Sequence, residues 1–219
     1  MQGYLAKPAA STPGLPGLIV IHEWWGLNDN IRQVTERLAG EGYVALAVDL
    51  YGGQSADTPK GAMQLMQGLQ QNTAGAAENL RQAYAYLTDT AGAPMIGSIG
   101  WCLGGRWSLR AALLMPSDID ATVIYYGSVT TDEAELATLE MPILGNFAAN
   151  DPLIPVDSVN EFAATLEKLG KTVDVKSYEG AEHAFSNPSG TAYNAAAAED
   201  AWKRTVAFFR SYLKSTSGG

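Results

Sequence analysis

Short apolar runs alternate along this chain with longer segments in which apolar residues recur every three or four positions. The first run, at residues 17–21, is rich in β-branched side chains, which predicts a strand buried on both faces. The next segment begins near Asn28 or Asp29, either of which can cap a helix, and it ends at Gly40 and Gly42. This alternation predicts right-handed βαβ units and a mostly parallel central sheet with helices on both faces.

The same two patterns continue to the end of the chain. Further strands are predicted at residues 43–49, 96–100, 121–126, 143–148 and 173–178. Helices are predicted twice between residues 58 and 87, and then at residues 106–115, 132–139, 156–169 and 195–213. Because no repeat or linker interrupts the pattern, we expect one α/β domain over residues 1–214, without a large cap domain, and a loose tail at residues 215–219. Whether the long excursion at residues 51–73 is a mobile lid stays open.

Composition and charge narrow the class of protein. Of the 219 residues, 47% are hydrophobic and 17% are charged, which is typical of a folded globular domain. The formal net charge of −9, without any cluster of Lys and Arg, argues against nucleic acid and anionic membrane as partners. The N-terminus lacks a basic start followed by an apolar stretch, and no run is long enough to span a bilayer, so we expect a cytoplasmic protein. A single cysteine and two histidines also argue against a conventional zinc site.

The strand predicted at residues 96–100 is followed directly by a sequence pattern typical of a catalytic nucleophile. Gly100-Trp101-Cys102-Leu103-Gly104 has the form Gly-x-nucleophile-x-Gly, which is the nucleophile elbow of the α/β-hydrolase fold. The glycines permit a tight turn, and the central residue adopts a strained backbone conformation that presents its side chain outward. The helix that follows would bring its positive dipole end to the sulfur. A lone cysteine is often just a small buried hydrophobe, but the elbow context favours Cys102 as a nucleophile.

The other two members of a catalytic triad are predicted from their order along the chain. In this fold the nucleophile is followed by an acid and then by a histidine. Asp151 follows the predicted strand at 143–148, and His183 lies in the loop after the strand at 173–178. Taken singly, Asp151 could be a turn or helix-capping residue, and His183 a solvated loop residue. Their common order after Cys102 favours a triad.

Two backbone N–H groups are predicted to form an oxyanion hole. One belongs to Leu103, directly after the nucleophile, and the other to the loop after the first strand, near Trp24. His22 lies in the same loop. We interpret it as a structural histidine that bonds to the backbone rather than as a catalytic base.

Three segments of the chain resemble the dienelactone hydrolase family: His22-Glu23-Trp24-Trp25-Gly26, residues 100–105, and Gly180-Ala181-Glu182-His183-Ala184-Phe185. The resemblance covers nearly the whole chain and implies a Cys-His-Asp triad. It also implies that Glu23 holds the resting thiol until substrate displaces it, which would suit the resistance of a protonated thiol to oxidation. The alternative for Glu23 is an ion pair with Arg106, one helical turn beyond Cys102.

The resemblance also bears on the substrate. Family members that act on dienelactone hold its carboxylate with arginines, one of them shortly after the catalytic histidine. In this chain that position is Asn187, and residues 52–73, where another is expected, contain no Arg. Because a neutral amide cannot replace a bidentate guanidinium clamp, we expect a small neutral ester or lactone. The expected apolar walls of the pocket are Trp24, Trp25, Tyr126 and Phe185. Plain core packing is the alternative for these aromatic residues.

The expected function is hydrolysis of a small-molecule ester or lactone through an acyl-thioester at Cys102. This chemistry needs no metal or organic cofactor, and we expect a monomer or a small homo-oligomer. One alternative is a dienelactone-type hydrolase of acidic lactones. The others are a non-catalytic binding protein on the same fold and a redox sensor that uses Cys102, although a sensor would lack a second, resolving cysteine.

Overall fold

A computed structural model describes residues 2–10 and 13–214. Seven strands form one sheet in the order β1-β3-β2-β4-β5-β6-β7, and every neighbouring pair is parallel except the antiparallel pair β1 and β3. The strands are β1 (Gly3–Ala6), β2 (Gly17–Ile21), β3 (Val44–Val48), β4 (Ile96–Trp101), β5 (Ala121–Tyr125), β6 (Ile143–Ala148) and β7 (Val173–Tyr178). The strands β2 to β6 are buried along their whole length, as apolar runs with both faces covered require.

Helices cover both faces of this sheet. They are α1 (Asp29–Gly40), α2 (Pro59–Gln71), α3 (Thr73–Ala85), α4 (Leu103–Leu114), α5 (Glu133–Ala137), α6 (Val156–Lys168) and α7 (Ala195–Leu213), and a π-helical turn at Tyr86–Thr90 extends α3. The buried residues of α1 and α7 pack with alternate strand residues in one core, whereas those of α3, α4 and α6 contribute to the core on the other face. The prediction of an α/β-hydrolase fold with a mostly parallel sheet and no large cap domain is therefore confirmed.

Local signals in the sequence explain most helix boundaries. Asn28 caps α1 by accepting a hydrogen bond from the Ile31 N–H, and Asn194 caps α7 by accepting from the Ala197 N–H. The predicted helix at 195–213 has the observed bounds, and the predicted strands agree with the observed ones to within one residue at either end. The predicted tail at residues 215–219 lies outside the described residues.

Two features of the fold differ from the sequence-based expectation. Strand β1 was not predicted, because a four-residue edge strand carries little pattern and is held by its pairing with β3. Helix α4 begins at Leu103, three residues before the predicted start, since Gly104 and Gly105 weaken the helical pattern there. A Cβ atom on Gly104 would overlap the Ile21 carbonyl, so glycine allows the helix to approach the sheet closely.

The parallel strands all end at the same edge of the sheet, and the loops that follow them carry the polar residues singled out from the sequence. Open α/β sheets bind ligands at this edge. Among the residues that the structure describes, no helix is long and apolar enough to cross a membrane.

Candidate active site

Cys102 stands between β4 and α4 in a strained turn. Its φ is 55° and its ψ is −116°, a backbone conformation that side-chain-bearing residues rarely adopt. A Cβ on Gly100 would overlap the Gly104 carbonyl, so the tight reversal requires glycine there. The Cys102 N–H donates to the Tyr125 carbonyl at 3.0 Å, which fixes the turn to the neighbouring strand. The sulfur is consequently presented, partly exposed, above the end of the sheet.

The three predicted triad residues lie in one hydrogen-bonded row. The His183 Nε2 atom is 3.1 Å from the Cys102 Sγ atom, and the His183 Nδ1 atom is 2.7 Å from Asp151 Oδ2. These residues are 81 and 32 positions apart in the sequence, and the strand ends bring them together. The row has the geometry of a nucleophile, a base and an orienting acid.

Asp151 is held rigidly by the backbone that follows it. Its Oδ1 atom accepts hydrogen bonds from the N–H groups of Leu153 and Ile154, at 2.8 and 3.1 Å. The carboxylate is nearly inaccessible to solvent, and its Oδ2 atom is left for His183. The turn interpretation and the catalytic interpretation of Asp151 are thus compatible, because one oxygen serves each role.

The environment of His183 makes its imidazole strongly basic. Burial by itself lowers the pKa of His183, but the hydrogen bonds to Asp151 and Cys102, together with their negative charge, outweigh it and raise the pKa to about 10. Such an imidazole can take the proton of a neighbouring thiol.

Glu23 is buried close to the triad and binds two side chains other than the thiol. Its carboxylate accepts a hydrogen bond from Asn187 Nδ2 at 2.6 Å and a long one from the Tyr126 hydroxyl at 3.5 Å. Burial raises the pKa of Glu23 to about 7, although the Asn187 and Tyr126 hydrogen bonds and the charge of His183 oppose the shift. Among the described contacts, Glu23 has no hydrogen bond to Cys102 and no ion pair with the exposed Arg106. The structure therefore shows neither the thiol contact implied by the family resemblance nor the ion-pair alternative.

Tyr126 connects the loop after β5 with the loop that carries His183. Its hydroxyl is 2.8 Å from the Ser186 Oγ atom, and its ring packs edge-on against His183 with centroids 5.3 Å apart. The φ of Tyr126 is 35°, so this residue also has a strained backbone. No sequence pattern predicted the contacts of Tyr126 and Asn187 with Glu23, because they join residues 103 and 164 positions apart.

The aromatic residues predicted as pocket walls have different surroundings. Phe185 is fully buried between the rings of Tyr126 and Tyr178, so it is part of the core. Trp24 and Trp25 are partly exposed and pack against each other, with ring centroids 4.8 Å apart. A cavity of about 210 Å³ lies beside Glu23, Tyr126 and Asn187 and extends between α1 and α7.

A larger groove of about 1130 Å³ lies outside the triad. It is lined by the loop after β3 and by α2 and α3, and thus by much of the excursion at residues 51–73. None of Cys102, Asp151 and His183 lines this groove. Its size therefore does not define the candidate active site.

The two backbone N–H groups predicted as oxyanion donors belong to Trp24, after β2, and to Leu103, the first residue of α4. Among the residues that the structure describes, neither the Trp24 N–H nor the Leu103 N–H has a hydrogen-bond partner. His22 is fully buried between backbone groups, with Nδ1 at 2.6 Å from the Glu23 carbonyl oxygen and Nε2 at 3.2 Å from the Leu50 nitrogen. The interpretation of His22 as a structural histidine bound to the backbone is confirmed.

Comparisons with known proteins agree with this fold. The chain matches the model of the dienelactone hydrolase family over residues 1–213. It is 37% identical to the protein usf of Aquifex pyrophilus, over 97% of this chain and 94% of that protein. It is 34% identical to a Saccharolobus solfataricus protein provisionally named carboxymethylenebutenolidase, over 98% of this chain and 95% of that protein. A solved structure of a provisionally named dienelactone hydrolase from Klebsiella pneumoniae superposes with a TM-score of 0.83 and 28% identity, covering 94% of this chain and 91% of that one.

The family match runs from the first strand to the end of the last helix, so it includes every loop that carries a candidate site residue. The chain therefore belongs to the dienelactone hydrolase family of hydrolases.

Proposed function

We propose that this protein is a carboxylic ester or lactone hydrolase in which Cys102 is the nucleophile. The proposal rests above all on one observation, the continuous row of hydrogen bonds from Asp151 through His183 to the Cys102 sulfur at a strained elbow. Nucleophile, base and orienting acid are the parts that acyl transfer requires. Membership of the dienelactone hydrolase family supports the same reaction class.

The first half of the reaction forms a thioester. His183 takes the thiol proton, and the Cys102 sulfur attacks the carbonyl carbon, so that an S–C bond forms while the carbonyl π electrons move to oxygen. The N–H groups of Trp24 and Leu103 stabilise the resulting oxyanion. As the oxyanion collapses, the C–O bond to the leaving group breaks, and His183 gives its proton to the departing alkoxide.

The second half releases the acid. His183 takes a proton from water, whose oxygen attacks the thioester carbonyl, and the sulfur leaves and recovers the proton. Asp151 keeps the imidazole oriented and stabilises its charged form throughout. A lactone follows the same steps, except that its alcohol stays attached to the acyl group.

We further propose that the substrate is neutral. The residue at the position of a family carboxylate clamp is Asn187, and its amide already donates to the buried Glu23. An amide in this state offers no positive charge to an acidic lactone.

The test is a panel of short neutral esters, matched acidic esters and lactones. We expect turnover of the neutral compounds by the wild-type protein and none above background by Cys102→Ala, with far-UV circular dichroism checking that the variant is folded. Retention of wild-type turnover by Cys102→Ala would refute the nucleophile. A wild-type preference for the acidic compounds would refute the neutral substrate, and Asn187→Arg is expected to shift the preference toward them.

A further inference from the structure

The peptide group between Glu23 and Trp24 is fixed from its carbonyl side. The Glu23 carbonyl oxygen lies 2.6 Å from His22 Nδ1 and also accepts a hydrogen bond from the Gly26 N–H at 3.2 Å. A trans peptide is planar, and its C=O and N–H bonds point in opposite directions. Whatever holds the Glu23 carbonyl therefore also sets the direction of the Trp24 N–H.

The backbone also sets which nitrogen of His22 carries the proton. The Leu50 N–H donates to Nε2 at 3.2 Å, so Nε2 supplies a lone pair and the proton of the neutral ring lies on Nδ1. Nδ1–H then donates to the Glu23 carbonyl oxygen. His22 has no exposed surface, and burial lowers its pKa, which keeps the ring neutral and this tautomer in place.

Tyr51 fixes the peptide group on the other side of Trp24. Its hydroxyl donates to the Trp24 carbonyl at 3.1 Å, and its ring packs on the His22 ring with centroids 4.7 Å apart. The Ala56 N–H donates to the Trp25 carbonyl at 2.9 Å, which joins the same two loops once more. Both carbonyls flanking the Trp24 N–H are thus restrained, while that N–H has no partner among the described residues.

From this arrangement we propose that His22 and Tyr51 are positioning residues that aim the Trp24 N–H at the oxyanion formed on the substrate. The inference rests on the proposed acyl-transfer function and assigns a role to two residues for which the structure describes no hydrogen bond to the thiol. Its physical basis is preorganisation, because a donor held in place before the reaction stabilises developing charge without reorganising.

The variants are chosen to remove one donor at a time. His22→Leu removes the Nδ1 donor, whereas His22→Asn keeps an amide N–H at a similar place. Tyr51→Phe removes only the hydroxyl and keeps the ring on His22. Tyr43→Phe is the matched control, because Tyr43 is another buried tyrosine whose hydroxyl has no partner within the described part of the chain.

Two readouts separate positioning from general damage. Addition of the thiol to a short aldehyde forms an S–C bond and a hemithioacetal oxygen at the position of the oxyanion, the proton passing through His183. Alkylation of Cys102 by iodoacetamide displaces iodide and forms no oxyanion. We would measure kcat and KM for a neutral ester, the alkylation rate, and the aldehyde concentration that protects Cys102 from alkylation.

His22→Leu should lower kcat roughly a hundredfold to a thousandfold, the range typical of a lost oxyanion donor, with KM and the alkylation rate nearly unchanged. Tyr51→Phe should lower kcat about fivefold, since a net hydrogen bond is typically worth about that factor. His22→Asn should recover most of the loss, Tyr43→Phe should match the wild type, and aldehyde protection should weaken in parallel with kcat.

The inference is wrong if Tyr51→Phe and the folded His22 variants keep wild-type kcat and aldehyde protection, or if alkylation slows as much as turnover. If His22→Leu does not fold, Tyr51→Phe with its Tyr43→Phe control decides the matter. If the wild-type protein hydrolyses no ester, the proposed function fails, and aldehyde protection still tests the positioning of the N–H without turnover.

Discussion

Two pairs of an aspartate and a histidine lie at the same edge of the sheet, and they are used differently. After β3, Asp49 lies near His22, and both oxygens of its carboxylate accept backbone N–H groups, from Tyr51 at 2.8 Å and from Gly53. After β6, Asp151 gives only its Oδ1 atom to the backbone and keeps Oδ2 for His183.

The histidines differ in the same way. Both ring nitrogens of His22 bond to backbone groups, whereas His183 has Asp151 on one nitrogen and the Cys102 sulfur on the other. Burial lowers the pKa of His22. Burial also lowers the pKa of His183, but Asp151 and Cys102 outweigh this effect and raise it to about 10. The comparison teaches that residue type alone does not separate a structural aspartate-histidine pair from the pair proposed to be catalytic. The two pairs differ in whether a side-chain polar atom is left to bond another side chain once the hydrogen bonds to the backbone have been made.

Among the tests of this comparison, the largest effect is expected from Asp151→Asn. The amide would place a donor against His183 Nδ1 and favour the wrong tautomer, so kcat for a neutral ester should fall roughly 10⁴-fold. The midpoint of thermal unfolding should change little by comparison. Steady-state kinetics and a thermal melt measure the two quantities, and a loss of kcat below tenfold would contradict the orienting role of Asp151.

Asp49→Ala tests the aspartate whose two carboxylate oxygens both accept backbone N–H groups. The change leaves the Tyr51 and Gly53 N–H groups without their carboxylate acceptor, so the free energy of unfolding should fall by about 2 to 4 kcal/mol. The loss of kcat should be far smaller than that of Asp151→Asn. Urea unfolding and the same ester assay measure both, and undiminished stability would show that the two aspartates do not differ as the contacts indicate.

Glu23→Gln is expected to produce the smallest of these effects, and one that depends on pH. The pKa of Glu23 is raised from 4.5 to about 7. Between pH 4.5 and pH 7 the folded protein therefore keeps a proton on Glu23 that the unfolded chain has released. The stability associated with the protonated carboxyl is full below pH 4.5 and is lost as the pH rises through 7. Glutamine does not titrate, so the variant lacks this loss. From pH 5 to pH 7.5 the free energy of unfolding of Glu23→Gln should therefore rise by on the order of 2 kcal/mol relative to that of the wild type. Urea unfolding at both pH values gives this difference, and a constant difference would mean that Glu23 is ionised in the folded protein throughout.

The fold class and the three candidate triad residues could be predicted because both depend on patterns along the chain. Apolar runs mark the buried strands, the two glycines around Cys102 mark the elbow, and the chain order selects Asp151 and His183. In the structure His183 lies within hydrogen-bond distance of both Cys102 and Asp151.

The environment of Glu23 could not be predicted in the same way. Its partners Asn187 and Tyr126 belong to other loops, and the contacts depend on how the ends of β2, β5 and β7 converge. The sequence presented Asn187 only as a residue in the place of an arginine. A hydrogen bond between residues 164 positions apart produces no periodic pattern in the sequence. The contact of Asn187 with the buried Glu23 carboxyl is therefore seen only in the structure.

The positive φ of Cys102 has a consequence for the evolution of this protein. A side chain in such a conformation costs about 1 to 3 kcal/mol, and glycine would relieve most of that cost. Cys102→Gly should therefore be more stable than Cys102→Ala, although both lack the sulfur. Selection for heat resistance alone would favour glycine at position 102, whereas the proposed role of Cys102 in turnover would account for a cysteine at this strained position.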